Sequence, residues 1–189
     1  MFKKGLLLSV TALMLSAPLY AEDLEKRAAD ARKVIKEFAT TLKGEMKAGM
    51  KAGGPTKAIK VCNLRATHIA IDSSATSNWD VGRTSLKVRN HMNDPDAWEK
   101  AVLLKFEQRK KAGENVKKMD FYEVVDRYGE KQFRYMKAIP TGPICLQCHG
   151  EKLEPAVQMR LNTLYSEDQA KGYKLGDIRG AFTLSQTMN

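Results

Sequence analysis

Phe121-Tyr122-Glu123-Val124-Val125-Asp126-Arg127-Tyr128-Gly129-Glu130-Lys131-Gln132-Phe133-Arg134-Tyr135-Met136-Lys137-Ala138-Ile139 decides the fold class. In an extended chain Phe121, Glu123, Val125 and Arg127 project to one side, and Tyr122, Val124, Asp126 and Tyr128 to the other. Lys131 to Ile139 keeps the same period of two. Gly129-Glu130 reads as a two-residue turn with glycine first, so the stretch is expected to be an antiparallel β-hairpin. Upstream the period is helical. Leu24, Ala28, Ala31, Ile35, Phe38, Leu42 and Met46 recur at spacings of three and four, which predicts one long helix from Asp23 to about Met50. Gly49, Gly53, Gly54 and Pro55 end it, and Pro55 opens a second helix to about Asp72 with Ile59, Cys62, Ala66 and Ile69 on one face. Ser73 to Asn93 is polar and irregular and is expected to be an ordered loop. Asp94-Pro95 supplies an N-cap and a first-turn proline for a helix through Trp98, Ala101, Val102 and Phe106 that stops at Gly113. Beyond the hairpin, Pro140, Gly142 and Pro143 break the pattern. A short helix is expected from Pro155 to about Leu164, and Ile178, Gly180, Phe182 and Leu184 mark one face of a last strand. Helices followed by a small antiparallel sheet give an α+β fold.

The composition agrees with one globular domain. Of 189 residues, 43% are hydrophobic and 29% charged, which excludes a disordered tail, a collagen and a multi-span membrane protein. Three cysteines are too few for a disulfide scaffold, and three histidines too few for a His-rich metal store. Met1 to Ala21 reads as a signal peptide. Lys3 and Lys4 form its basic start, Gly5 to Leu15 its apolar run, and Ala21–Glu22 the cleavage point. No later run reaches the length of a membrane span. Cleavage takes the chain from 189 to 168 residues, and loss of Lys3 and Lys4 takes the net charge from +10 to +8. The expectation is a single exported domain over residues 22–189, periplasmic and basic, with no stable membrane insertion after cleavage. Such a surface favours an anionic partner, an acidic redox protein or a lipid headgroup surface, and export sets nucleic acid aside.

Cys145-Leu146-Gln147-Cys148-His149 is the attachment pattern of a c-type haem. Two cysteines three apart reach the two vinyl groups of one porphyrin and form thioethers. The adjacent histidine is then held under the iron as an axial ligand. One covalent haem c is therefore expected, on Cys145 and Cys148, with His149 on the iron. Two other chemistries use the same cysteine spacing. A thioredoxin-like pair should open a helix after a strand, where the helix dipole lowers the thiol pKa, whereas this motif is expected to sit in a Pro/Gly loop. A zinc site needs further ligands at a matching spacing.

With Cys145 and Cys148 used, Cys62 is the odd cysteine. It shares an apolar helix face that must point into the core, and Lys60 and Arg65 beside it are expected to favour its thiolate. The alternative is an inert buried side chain. His68, six residues on, points away from that face at 100° per residue. His91 in the following loop is a rival iron ligand, and a methionine is another. Arg83 and Arg89 are candidates to pair with haem propionates, because guanidinium binds carboxylates in a two-pronged geometry.

Three strings carry a resemblance: Ala58-Ile59-Lys60-Val61-Cys62-Asn63, Gly82-Arg83-Thr84-Ser85-Leu86-Lys87-Val88-Arg89-Asn90, and Asn93-Asp94-Pro95-Asp96-Ala97-Trp98-Glu99. With Ala170-Lys171-Gly172-Tyr173 and Gly176-Asp177-Ile178-Arg179-Gly180-Ala181, the chain resembles a family of exported single-haem c-type proteins with a PAS-like fold. Members occur as free cytochromes and as sensor portions of histidine kinases and chemoreceptors. The resemblance implies a His/Cys axial pair, which falls here on His149 and Cys62, and a haem enclosed by the sheet and its adjoining helices. A thiolate ligand stabilises ferric iron, so the reduction potential should be low. Two filled axial positions favour electron transfer over peroxidase or thiol oxidoreductase chemistry. A haem-based redox or gas sensor subunit is the alternative.

Overall fold

The computed structural model describes residues 16–188, with side chains from residue 21. Residues 1–15 of the expected leader lie outside the described residues. Helix α1 (Ser16–Thr76) joins the two helices expected from the sequence as two arms. The break is at Gly53 (φ 173°, ψ 29°) and Gly54 (φ 69°, ψ −163°), and the second pair of angles is open only to glycine. The arms fold back on one another. A Cβ on Gly49 would lie 3.0 Å from Ala58 Cα, and Arg65 of the second arm reaches Glu45 of the first at 3.0 Å. The stripe from Ala28 to Phe38 is buried as its period requires.

The remaining elements are β1 (Asp80–Thr84), α2 (Ala97–Lys111), β2 (Asp120–Arg127), β3 (Glu130–Pro140), α3 (Leu146–His149), α4 (Pro155–Leu164) and β4 (Ile178–Thr187). The four strands form one antiparallel sheet in the order β1-β4-β3-β2. Phe133, Tyr135, Phe182 and Leu184 meet α1 on one face. Met136, Ala138 and Ala181 meet Val102, Leu103 and Phe106 of α2 on the other. A third cluster, Ile59, Val157 and Leu161, seats α4 on the second arm of α1 beside Cys148. The fold is α+β, as expected. Among the described residues no helix is long and apolar enough to cross a membrane.

Local readings needed four corrections. Ser73–Asn93 holds the end of α1 and strand β1, which has Val81 turned into the core and Trp79 just before it, too brief a signal to register as alternation. The N-cap of α2 is Asp96, not Asp94. Its carboxylate accepts from Glu99 N at 2.8 Å while Glu99 Oε2 accepts from Asp96 N at 3.0 Å, a closed capping box. The hairpin turns at Tyr128 (φ 58°) and Gly129 (φ 84°), with Arg127 paired to Glu130. Both turn residues have positive φ, the geometry that matches strand twist. Finally, Cys145–His149 is not extended loop. A 3-10 turn (Pro143–Cys145) runs straight into α3.

Asp96 also holds Arg134 at 2.7 Å. Burial pushes the Asp96 carboxyl up, but the Glu99 N–H and the Arg134 guanidinium outweigh it and hold the carboxyl below its ordinary value. A carboxylate with a lowered folded pKa stabilises the fold above its unfolded pKa, and that contribution is lost as pH falls through the folded value. Asp96→Ala is expected to cost about 1–2 kcal/mol at neutral pH. The gap to wild type in urea-denaturation midpoint should close at strongly acidic pH, and a gap independent of pH would refute the charge-based part.

Candidate functional site

β3 ends at Pro140, and the chain is pinned immediately after it. Thr141 N donates to Asp177 O at 2.7 Å, and Gly176 N donates to Thr141 O at 2.9 Å. Pro143 at the first position of the 3-10 turn pre-sets its φ. Gly142 N lies 3.3 Å from Cys145 Sγ. Gly150 closes α3 where a Cβ would meet Leu146 O at 2.6 Å, so glycine is required here by the helix itself.

A strap from Asp168 to Tyr173 holds the motif from outside. Gly172 N and Tyr173 N donate to Gly150 O and His149 O, each at 3.0 Å. His149 Nδ1 lies 2.8 Å from Ala170 O. A carbonyl only accepts, so the shorter contact puts the proton on Nδ1 and leaves a lone pair on Nε2; Arg179 Nε lies beside the ring, 3.2 Å from Nδ1 and 3.4 Å from Nε2. This is the orientation that outer-shell partners give a ligating histidine. Burial, with Arg179 and Arg89 nearby, holds His149 well below the usual histidine pKa, so the imidazole is neutral.

Arg89 belongs to this strap. Its Nε donates to Asp168 Oδ1 at 3.1 Å, and its Nη2 donates to Cys148 O at 2.6 Å and Ala170 O at 3.2 Å. Arg83, from β1, makes no hydrogen bond or ion pair among the described residues and lies 5.9 Å over the Phe38 ring. Arg179 has Nε 3.4 Å from His149 Nε2 and Nη1 3.2 Å from Ser85 Oγ. Burial depresses the pKa of Arg83 and of Arg179, and Arg179 also feels Arg89 and Arg83.

Cys62, Cys145, Cys148 and His149 all line one cleft of about 240 Å³, together with Arg83, Arg89 and Arg179. α1 supplies an apolar wall, with Ala58, Ile59 and Ala66 flanking Cys62, and Met46 and Met50 also border the space. No aspartate or glutamate lines it among the described residues. All three cysteines are free thiols. Burial raises the Cys62 and Cys148 thiols, against the pull of nearby arginines. That is opposite to the lowered pKa of a redox-active dithiol, although the motif does open a short helix after a strand. It also corrects the expected thiolate. Lys60 is exposed and Arg65 pairs outward with Glu45, so neither faces the sulfur.

His68 is exposed, as its place on the helix requires. His91 does not line the cleft. It sits on the surface with Nδ1 3.1 Å from Asp94 and Nε2 2.7 Å from Glu167. Among the described residues no group of three or more His, Cys, Asp or Glu is placed to hold a metal ion.

Arg179 was not foreseen. Alternation puts it on the face opposite Gly180 and Phe182, but the strand register changes there. Ile139 pairs with Gly180 and Pro140 with Ile178, which leaves Arg179 as the extra residue of a β-bulge. A bulge re-aims its side chain. Gly180 (φ 156°) leaves no room for a Cβ against Thr84 O. The conspicuous signal was a charged residue between two apolar ones, Ile178-Arg179-Gly180-Ala181, in an otherwise buried strand.

The model of the Tll0287-like family matches residues 21–187, nearly the whole described chain. The chain belongs to the Tll0287-like family. Its fold is similar to that in the crystal structure of the cyanobacterial heme-protein Tll0287, with a TM-score of 0.64 and 21% identity, over 87% of this chain and 96% of that one. No curated protein matches the sequence. In this Tll0287-like chain the cleft combines three thiols, a neutral imidazole with Nε2 unprotonated, apolar walls and two arginines, Arg83 and Arg179, without a carboxylate partner among the described residues. It suits an apolar molecule that carries carboxylates and can be bonded to sulfur.

Proposed function

We propose that this protein is an exported c-type cytochrome of PAS-like fold, periplasmic, that carries one haem and transfers electrons at low potential. Cys145 and Cys148 would hold the haem as thioethers, and His149 and Cys62 would ligate its iron. The observation that carries the reading is that the three motif side chains and the distant Cys62 converge on one apolar, acid-free cleft. Family membership and the similarity to a heme-protein support it.

Bound there, haem supplies one-electron exchange at its iron. The chain's own residues do the rest. Ala170 O keeps the His149 proton on Nδ1 and so offers Nε2 to the metal. Ile59, Ala66 and Phe182 exclude water from the cleft. Cys62 must give up its proton on binding, and burial makes that unfavourable until a metal takes the sulfur. The net positive charge of the chain suits an acidic redox partner, and electron exchange with it should slow as salt rises.

The test is expression in a host with working cytochrome c maturation. The purified protein should be coloured, keep its pigment through acid–acetone extraction, and show one haem per chain as its pyridine haemochrome. Cys145→Ala with Cys148→Ala should abolish retention. A colourless wild-type protein, or pigment lost to acid–acetone, would overturn the proposal.

A further inference from the structure

We infer that Arg83 and Arg179 are the carboxylate-binding residues of the cleft, and that Arg89, which the sequence pairs with Arg83, serves the protein's own strap instead. The inference rests on the haem reading above and names the two side chains that meet the porphyrin's two propionates.

The three arginines of the cleft differ in how their charge is met. Arg89 has Asp168, whose side chain is 2% exposed, and two backbone carbonyls as partners. Arg83 and Arg179 have no carboxylate among the described residues, although both line the cleft. A guanidinium taken out of water without an anion is costly, and proteins retain one where a ligand supplies the anion. Each is placed by a separate device. Arg83 stands in β1 opposite Phe182 of β4, with Phe38 beneath its guanidinium. Arg179 is swung inward by the bulge, stacked 5.4 Å from the Tyr173 ring centroid and held by Ser85 Oγ and Lys87 O at 3.2 and 3.4 Å. Those contacts orient the fork without neutralising it. Lys43 also borders the cleft, but it is exposed to water and needs no anion there. Two guanidiniums without a carboxylate partner, in a cleft that no acid lines among the described residues, match a ligand with two carboxylates, and guanidinium matches carboxylate in shape as well as charge.

The experiment uses haem-loaded protein with Arg83→Gln, Arg179→Gln and the corresponding lysine variants, with Arg65→Gln as a surface control. The reduction potential is followed from about pH 5 to pH 8. A propionate held by a guanidinium stays ionised across this range. Freed from it, the propionate takes up a proton, more readily when the iron is reduced. Wild type and Arg65→Gln should therefore give a nearly flat curve. Each glutamine variant should show the potential falling with rising pH, with a slope of up to one proton per electron, and lysine should restore most of the flatness. If a glutamine variant does not fold, the lysine variant decides by a smaller displacement in the same direction. Haem-loaded variants whose curves superpose on wild type would overturn the assignment. A wild type without covalent haem would instead overturn the haem reading.

Discussion

Replacing Cys62 with serine is expected to erase the thiolate-type optical and EPR signature and raise the reduction potential, with the haem still attached. The site geometry gives the reasons. Cys62 is the only cysteine outside the attachment motif, and α1 delivers it to the cleft that holds Cys145, Cys148 and His149. A thiolate donates electron density and favours ferric iron, so a hydroxyl in its place must move the couple upward. We expect a rise of about 59 mV or more, tenfold in the one-electron equilibrium. His91→Ala is the companion measurement. Both of its ring nitrogens are engaged by surface carboxylates, so its spectrum and potential should match wild type. A Cys62→Ser protein with the wild-type spectrum, or a His91→Ala protein without the thiolate signature, would reverse the assignment.

What the sequence revealed depended on the range of the interactions involved. The α1 stripe and the hairpin repeat their period over many residues, so element type could be read directly, and for the stripe its burial too; in β3 both faces are covered and Phe133 to Met136 are all buried, which alternation does not reveal. α4 was bounded by Pro155 and ended where expected, at Leu164. β1 has two inward residues and a glycine, too few to show a period, and exists because β4 offers it an edge. Cys145, Cys148 and His149 are legible as one motif because five consecutive residues define it. Cys62 could be proposed because a helix face is periodic. The strap could not be anticipated, since Asp168 and Ala170 act through contacts 79 and 21 residues away in sequence, with Arg89 and His149. Arg179 was hidden for a different reason. One extra residue in β4 shifts the register and defeats the alternation by which its side was assigned.

Asp168→Ala is expected to cost about 3–5 kcal/mol, the range for leaving one member of a buried ion pair alone. Asp168 and Arg89 side chains are 2% and 12% exposed. Asp168 Oδ1 takes both the Arg89 Nε–H and the Ala170 N–H, while Oδ2 is buried without a partner. Alanine would strand the guanidinium and untie Ala170 in one step. For a chain of this length that is a drop in melting temperature of roughly 6–20 °C. The effect should also reach the site. Ala170 O fixes the His149 ring by its Nδ1–H, so a loosened strap leaves Nε2 less well aimed. Haem-loaded Asp168→Ala should therefore show a broadened EPR spectrum or a mixed-spin fraction, while Cys145 and Cys148 keep the haem attached. Asp168→Asn retains an acceptor at Oδ1 but not the charge, so it should lose stability while disturbing the spectrum less. That contrast separates the ion pair from the aiming of the ring. An alanine variant within about 1 kcal/mol of wild type, with an unchanged spectrum, would show that the strap holds His149 without help from Asp168.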